Sequence, residues 1–186
     1  QGEAIDIVVL NPGMEKAVLY FGGNAEPAAL SAEWLEGMFP QYTVYLMNYR
    51  GYAASSGKPT ESGILADAQA LYDLVNPRHD AVSAVGRSLG TGVAMHVAAK
   101  NNVERLVLVT PYDSVEQVAA ERYAIFPVRW LIKDAFNSSR LVSGVVAKTM
   151  IIAAEFDRVI PFKHTQRLIE TFPEEQVEVF VIPSTD

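Results

Sequence analysis

The chain has 186 residues, 49% of them apolar, and a formal net charge of −7. That composition suits one packed domain and argues against nucleic acid, whose binding rests on basic contacts to phosphate, and against docking on anionic lipid through charge alone. The absence of cysteine removes disulfides, thiolate metal sites and a cysteine nucleophile.

Gln1 leads almost at once into the strand-like run IDIVVL, and the chain stops as abruptly at VIPSTD. Residues are therefore expected beyond both ends; a cytoplasmic chain and one exported or anchored through a preceding signal or anchor both stay open, as does the oligomeric state. No apolar run approaches the roughly 18–20 residues of a membrane span. Strands are expected at 5–10 and 16–21, then a helix over 27–38 with Leu30, Trp34, Leu35 and Met38 on one face. A strand at 42–48 precedes a helix over 61–75, where Ile64, Leu65, Ala68, Leu71, Tyr72 and Val75 recur with a period near 3.6. A strand at 81–85 leads into a helix of small and apolar residues over 89–100. Strands at 103–110, 149–154 and 177–182 and a helix over 162–172 complete the series. Runs such as AVLYF and RLVLV lack polar alternation, as strands of a parallel sheet covered on both faces do. The repeated strand–helix–strand units predict a doubly wound, mostly parallel α/β sheet with helices on both faces and a small or absent cap. Only the stretch 114–146 breaks the rhythm; it is read as irregular or helical, lying over or beside the strand ends.

In such a sheet ligands bind at the carboxyl ends of the strands, where Gly86-Arg87-Ser88-Leu89-Gly90 falls between a strand and a helix. That context gives the G-x-S-x-G pattern its meaning. A nucleophile must project from a very tight turn, and side chains at the flanking glycines would clash with that turn and the neighbouring strands. Ser88 is thus the candidate nucleophile, and the amide of Leu89, at the helix N-terminus, a candidate oxyanion donor. Phe21-Gly22-Gly23-Asn24-Ala25 also follows a strand and precedes a helix; glycines allow close backbone approach, and the Asn24 amide is the second candidate donor. A plain glycine turn with Asn24 as helix cap is the competing reading. Asp157, after the strand ending near Ala154, is the candidate acid, in the chain order nucleophile then acid. Glu155 is its rival, and Asp113 a lesser one.

These motifs resemble those of the α/β-hydrolases, and more narrowly of the serine hydrolases around the Bem46-like proteins and their α/β-hydrolase-domain relatives. Leu19 to Ala25 resembles an oxyanion loop that usually reads HGNAG. Asn48-Tyr49-Arg50-Gly51-Tyr52-Ala53-Ala54-Ser55-Ser56-Gly57-Lys58-Pro59 resembles N-Y-R-G-Y-G-x-S-x-G-x-P, and Asp157 to Pro161 resembles the acid loop D-x-x-[IV]-P. The resemblance implies an α/β-hydrolase fold and cofactor-free hydrolysis of carboxylic esters or thioesters, often lipid-like. Gly22 stands where the family often has histidine, Ala53 replaces a common glycine, and Ala154 replaces the glycine often found before the acid loop.

Three histidines compete for the role of base. His79 precedes the strand leading to Ser88 and belongs at the opposite end of the sheet. His96 lies eight residues into the following helix, roughly 12 Å along its axis. His164 is nearer, but in the family this position begins a helix and supports the acid loop. The expected base follows the last strand, so it is placed beyond Asp186. The leading reading is a serine hydrolase working through an acyl-enzyme on Ser88, with Tyr112, Tyr123, Phe126 and Trp130 as candidate lining for the acyl group of a small-molecule substrate. A non-catalytic binding or scaffold protein of hydrolase fold and a peptidase of related fold stand as alternatives. No cofactor, metal or nucleic acid is expected.

Overall fold

The computed structural model describes residues 2–122 and 136–185. Seven strands form one sheet: β1 (Ile7–Leu10), β2 (Lys16–Phe21), β3 (Tyr42–Met47), β4 (Ala81–Arg87), β5 (Arg105–Val109), β6 (Lys148–Ala154) and β7 (Val177–Ile182). Their spatial order is β1-β3-β2-β4-β5-β6-β7. Every neighbouring pair is parallel except β1 with β3, so the expected mostly parallel, doubly wound sheet is the one observed. The helices are α1 (Ala28–Met38), α2 (Glu61–Val75), α3 (Leu89–Lys100), α4 (Val115–Arg122) and α5 (Phe162–Ile169). Boundaries shift for local reasons. Pro27 is extended and stands just before α1 instead of opening it, and β5 starts at Arg105, after the Val103 amide turns back to the Asn101 carbonyl.

The two faces of the sheet are covered unequally. On one, α2, α3 and α5 bury a large core containing Leu19, Phe21, Ile64, Leu71, Met95, Leu106, Leu108, Ile151 and Leu168. On the other, α1 covers β1 to β4 through Leu35 on Val18, Val44 and Leu46. The same face of β6 and β7 carries Phe180 and Ile182, each 46% exposed. A groove of about 590 Å³ runs across the amino ends of β5, β6 and β7, lined by Arg105, Lys148, Glu175 and Glu178 among others. It opens at the end of the sheet away from Ser88. Among the described residues no helix is long and apolar enough to cross a membrane.

The segment after β3 is stitched into the sheet by its own side chains. Asn48 Oδ1 accepts from the Ala28 amide at 2.9 Å and so serves as the cap of α1, while its Nδ2 donates to Asp6. Ser55 Oγ accepts from the Asp6 amide and donates to the Asn48 carbonyl. Arg50 makes a two-pronged pair with Asp67 on α2, both bonds 2.8 Å. A methyl on Gly63 would meet that guanidinium at 2.4 Å, so α2 is shaped to receive it. Arg50→Met leaves the largely buried Asp67 without its partner and is expected to cost about 2 kcal/mol, measured as a lowered urea midpoint.

Candidate active site

Ser88 lies between β4 and α3 with φ 50 and ψ −120, backbone values that a residue with a side chain rarely adopts. Its neighbours hold it there. The Ser88 amide donates to the Val109 carbonyl on β5 at 2.9 Å, and its carbonyl accepts from both the amide and the hydroxyl of Thr91. A Cβ on Gly86 would sit 2.4 Å from the Gly90 carbonyl oxygen; one on Gly90 would sit 1.9 Å from the Phe21 carbonyl oxygen. Both contacts are with backbone, which cannot swing aside. The spacing of the two glycines thus has the reason expected of it: one admits the turn, the other the adjoining strand. Among the described residues the Ser88 hydroxyl has no hydrogen-bond partner, and neither the Leu89 nor the Asn24 amide is taken by a side chain.

The loop after β2 lies directly against this turn: a Cβ on Gly23 would be 3.6 Å from that of Ser88. The Glu26 amide donates to the Gly23 carbonyl, and Ala25 takes φ 57, closing a tight turn. Two tyrosines from the segment after β3 hold the loop. Tyr49 donates to the Gly22 carbonyl at 2.8 Å, and Tyr52 to Asn24 Oδ1 at 3.1 Å. The Asn24 side chain is thus engaged by Tyr52, and Asn48 performs the capping role.

Sequence patterning did not mark Glu26, which is central here. Its Oε1 accepts from the hydroxyls of Tyr20, at 2.9 Å, and Ser31. Its Oε2 accepts from the Gly23 amide at 2.7 Å and from Arg87 Nη1 at 3.1 Å. The carboxyl also lies close over Gly22, where a Cβ would come within 3.1 Å of Glu26 Cδ. Burial pushes the Tyr20 phenol up to about 12, keeping it a donor. Burial alone would raise the Glu26 carboxyl too, but the bonds from Ser31, Gly23 and Tyr20 and the charge of Arg87 outweigh it and hold it below its ordinary value.

The acid loop follows β6. Asp157 Oδ1 accepts from the amides of Val159 and Ile160, both at 2.7 Å, which fixes the turn. Glu155 faces the other way: its Oε2 accepts from the Ser184 amide, while its own amide and that of Phe156 donate to the carbonyls of Ile182 and Thr185. The segment leaving β7 therefore lies against the acid loop. Asp113 and His164, both almost fully buried, form a pair with Oδ1 and Nδ1 2.9 Å apart. Asp113 also accepts from the Ser114 amide and, at 3.5 Å, from Arg167. His79, at the amino end of β4, pairs with Tyr45 and the Met14 carbonyl. His96 sits midway along α3, where burial and then Lys100 hold its imidazole below the ordinary value. Tyr112 belongs to the core, 2% exposed, and its hydroxyl donates to the Leu89 carbonyl at 3.1 Å. Tyr123, Phe126 and Trp130 lie outside the described residues.

A mostly parallel sheet with a strained serine turn at the carboxyl end of a central strand defines the α/β-hydrolase class. The chain belongs to the α/β-hydrolase fold family, whose model matches residues 6–145. It is 32% identical over 176 residues to an uncharacterised protein of Mycobacterium tuberculosis, covering 91% of this chain and 62% of that one. It is 29% identical over 171 residues to the α/β-hydrolase domain-containing protein aho-3 of Caenorhabditis elegans, covering 87% and 49%. The chain thus spans about half to three fifths of the length of these curated relatives. Among solved structures it superposes on Est1E of Butyrivibrio proteoclasticus bound to ferulic acid, with a TM-score of 0.77, 13% identity and coverage of 97% and 86%. A monoacylglycerol lipase of Paleococcus ferrophilus gives 0.71 and 14%, with coverage of 98% and 90%. At such identities the likeness is one of fold.

Two consequences can be measured. Gly90→Ala is expected to lose at least about 3 kcal/mol or fail to fold, whereas Gly37→Ala on α1, with nothing within 4 Å of the new methyl, is expected to gain about 0.5–1 kcal/mol; thermal melts compare them. A carboxyl held below its unfolded value contributes fully above that value, 4.5 for Glu26, and loses the contribution as pH falls through the lowered folded value. Glu26→Gln is therefore expected to flatten the loss of stability between about pH 5 and pH 3, read from urea midpoints.

Proposed function

We propose that the chain carries the acylation centre of a serine hydrolase of the Bem46-like kind, acting on carboxylic esters or thioesters, lipid-like acyl groups among them. The observation that carries this reading is the strained Ser88 turn, its hydroxyl without a partner among the described residues, set against a second loop with an unclaimed amide. Strain of this kind persists only where the surroundings enforce it, and it clusters at functional sites.

In this reading Ser88 Oγ attacks the acyl carbon as its proton passes to a base. The carbonyl π electrons move onto oxygen, and the Leu89 and Asn24 amides hold the resulting oxyanion. Collapse expels the alcohol or thiol, which takes the proton from the base, and leaves the acyl-enzyme; water repeats the sequence in the second half. Asp157 orients the base, which is a histidine downstream of Asp186. Two observations support that assignment. His79 and His96 sit away from the turn, and the backbone bonds from Glu155 and Phe156 to Ile182 and Thr185 bring the segment after β7 to the acid loop.

One observation favours a second reading. Asp113 and His164 are paired through Nδ1 at the same end of the sheet, in the chain order Ser, Asp, His. A fluorophosphonate separates the two. The natural full-length protein is expected to be labelled at Ser88 and its Ser88→Ala variant not at all, while the 186-residue chain is slower by at least about a thousandfold. Fast labelling of the 186-residue chain that disappears in His164→Gln would transfer the role of base to His164. No labelling of Ser88 in the full-length protein would sink the hydrolase reading.

A further inference from the structure

We propose that Glu26 is a positioning residue: its carboxylate fastens the Gly23 amide and, by doing so, turns the Asn24 amide to the reacting carbonyl beside Ser88. The inference rests on the reading of Ser88 as nucleophile and names what orders the loop facing it. Three groups of observations support it.

The first is geometric. Glu26 and Gly23 close a ring, the Glu26 amide on the Gly23 carbonyl and the Gly23 amide on Oε2 at 2.7 Å. Within this ring the Gly23 amide is consumed. The Asn24 amide, next along the chain and with no partner among the described residues, is the loop's remaining donor. The second is the anchoring of the carboxylate. It receives donors from four places: Tyr20 on β2, Ser31 on α1, Gly23 in the loop and Arg87 in the serine turn. The loop is thereby tied to strand, helix and turn at once, and the carboxylate cannot rotate without stranding buried donors. The third is charge. An isolated anion this near a developing oxyanion would oppose it. Arg87, immediately before Ser88, supplies the balancing cation while standing 53% exposed at the mouth of the site. The space needed by the carboxylate is reserved as well, since a side chain at Gly22 or Gly23 would crowd it at 3.1 Å.

A structural role alone would move stability and leave chemistry intact. A positioning role moves kcat with KM nearly unchanged. The test uses the natural full-length protein, p-nitrophenyl acyl esters, fluorophosphonate labelling of Ser88, and amide resonances of Gly23 and Asn24 in ¹⁵N-labelled protein. In Glu26→Ala, kcat and the labelling rate are expected to fall about a hundredfold, the effect of a donor misplaced by roughly 1 Å, with KM nearly constant. Glu26→Gln keeps an acceptor for Gly23 and turns its NH₂ to the two hydroxyls, which can reverse, so it should recover to within about fivefold of the parent. The Gly23 amide proton should follow the titration of one carboxyl in the parent protein and cease to do so in Glu26→Gln.

A Gly23 amide indifferent to that titration overturns the proposal whatever the activity. So does unchanged labelling in a Glu26→Ala protein that folds; if that variant does not fold, Glu26→Gln carries the resonance test by itself. Gly23 coupling without any labelling of the parent would retain the hold of Glu26 on the loop and overturn the hydrolase reading instead.

Discussion

The close approach of two backbones, α3 at Gly90 and β2 at Phe21, is the constraint on which the rest of the site depends. A single methyl at Gly90 would penetrate the Phe21 carbonyl, and a packed interior has no slack to absorb it. This contact sets how far the start of α3 sinks onto the sheet, and hence where Ser88 emerges. It also works in the other direction. Phe21 is the last residue of β2, so the loop beginning at Gly22 leaves the sheet directly over the serine turn. The parallel pairing of β2 with β4, with Phe21 level with Gly86, is what makes the two loops neighbours. A left-handed residue at Ser88 costs on the order of 1–2 kcal/mol. The chain meets that cost with hydrogen bonds to β5 and within α3.

Two carboxylates, Glu26 partly buried and Asp113 almost fully so, organise the same end of the sheet, each joining a loop to a different element. Glu26 joins the loop after β2 to the serine turn through Arg87. Asp113 joins the segment after β5 to α5 through His164 and Arg167. A buried carboxylate without donors would be costly, so each is also a constraint on its surroundings: the loop must present an amide, a hydroxyl or a cation at that point. This is a different device from the apolar core beneath, which is tolerant of shape and specifies packing without direction. The loops around Ser88 are held by directional bonds, and these fix which amides remain open.

The sheet was legible because its signals are local. Unbroken apolar runs such as AVLYF and RLVLV mark buried parallel strands, and the spacing of Ile64, Ala68, Leu71 and Val75 marks α2. The glycine pattern around Ser88 was legible too, since the steric reason for each glycine is a short-range one. Glu26 was not. A glutamate three residues after a glycine pair, just before a proline, looks like any exposed loop charge. Its burial depends on Tyr20, Ser31 and Arg87, which periodicity does not connect. Asp113 and His164 were each visible as candidates, but their pairing escaped for the same reason, the two standing 51 residues apart. The N-Y-R-G-Y string was visible as a motif, but its physics emerged only in three dimensions. Tyr49 and Tyr52 hold the loop after β2, Arg50 binds α2, and Asn48 caps α1.

The end of β7 and the start of α5 are held at the same end of the sheet by two different kinds of bond. The backbone of 182–185 is fastened to the acid loop by three hydrogen bonds: the Glu155 and Phe156 amides donate to the Ile182 and Thr185 carbonyls, and the Ser184 amide donates to the Glu155 side chain. Residues of this segment take their place beside the acid loop from backbone hydrogen bonds. His164 is placed by the opposite principle: it is locked by its imidazole into a buried pair with Asp113 and has 1% of its surface exposed. The Asp113–His164 pair thus braces the segment after β5 against α5, while the end of β7 is held to the acid loop through the backbone.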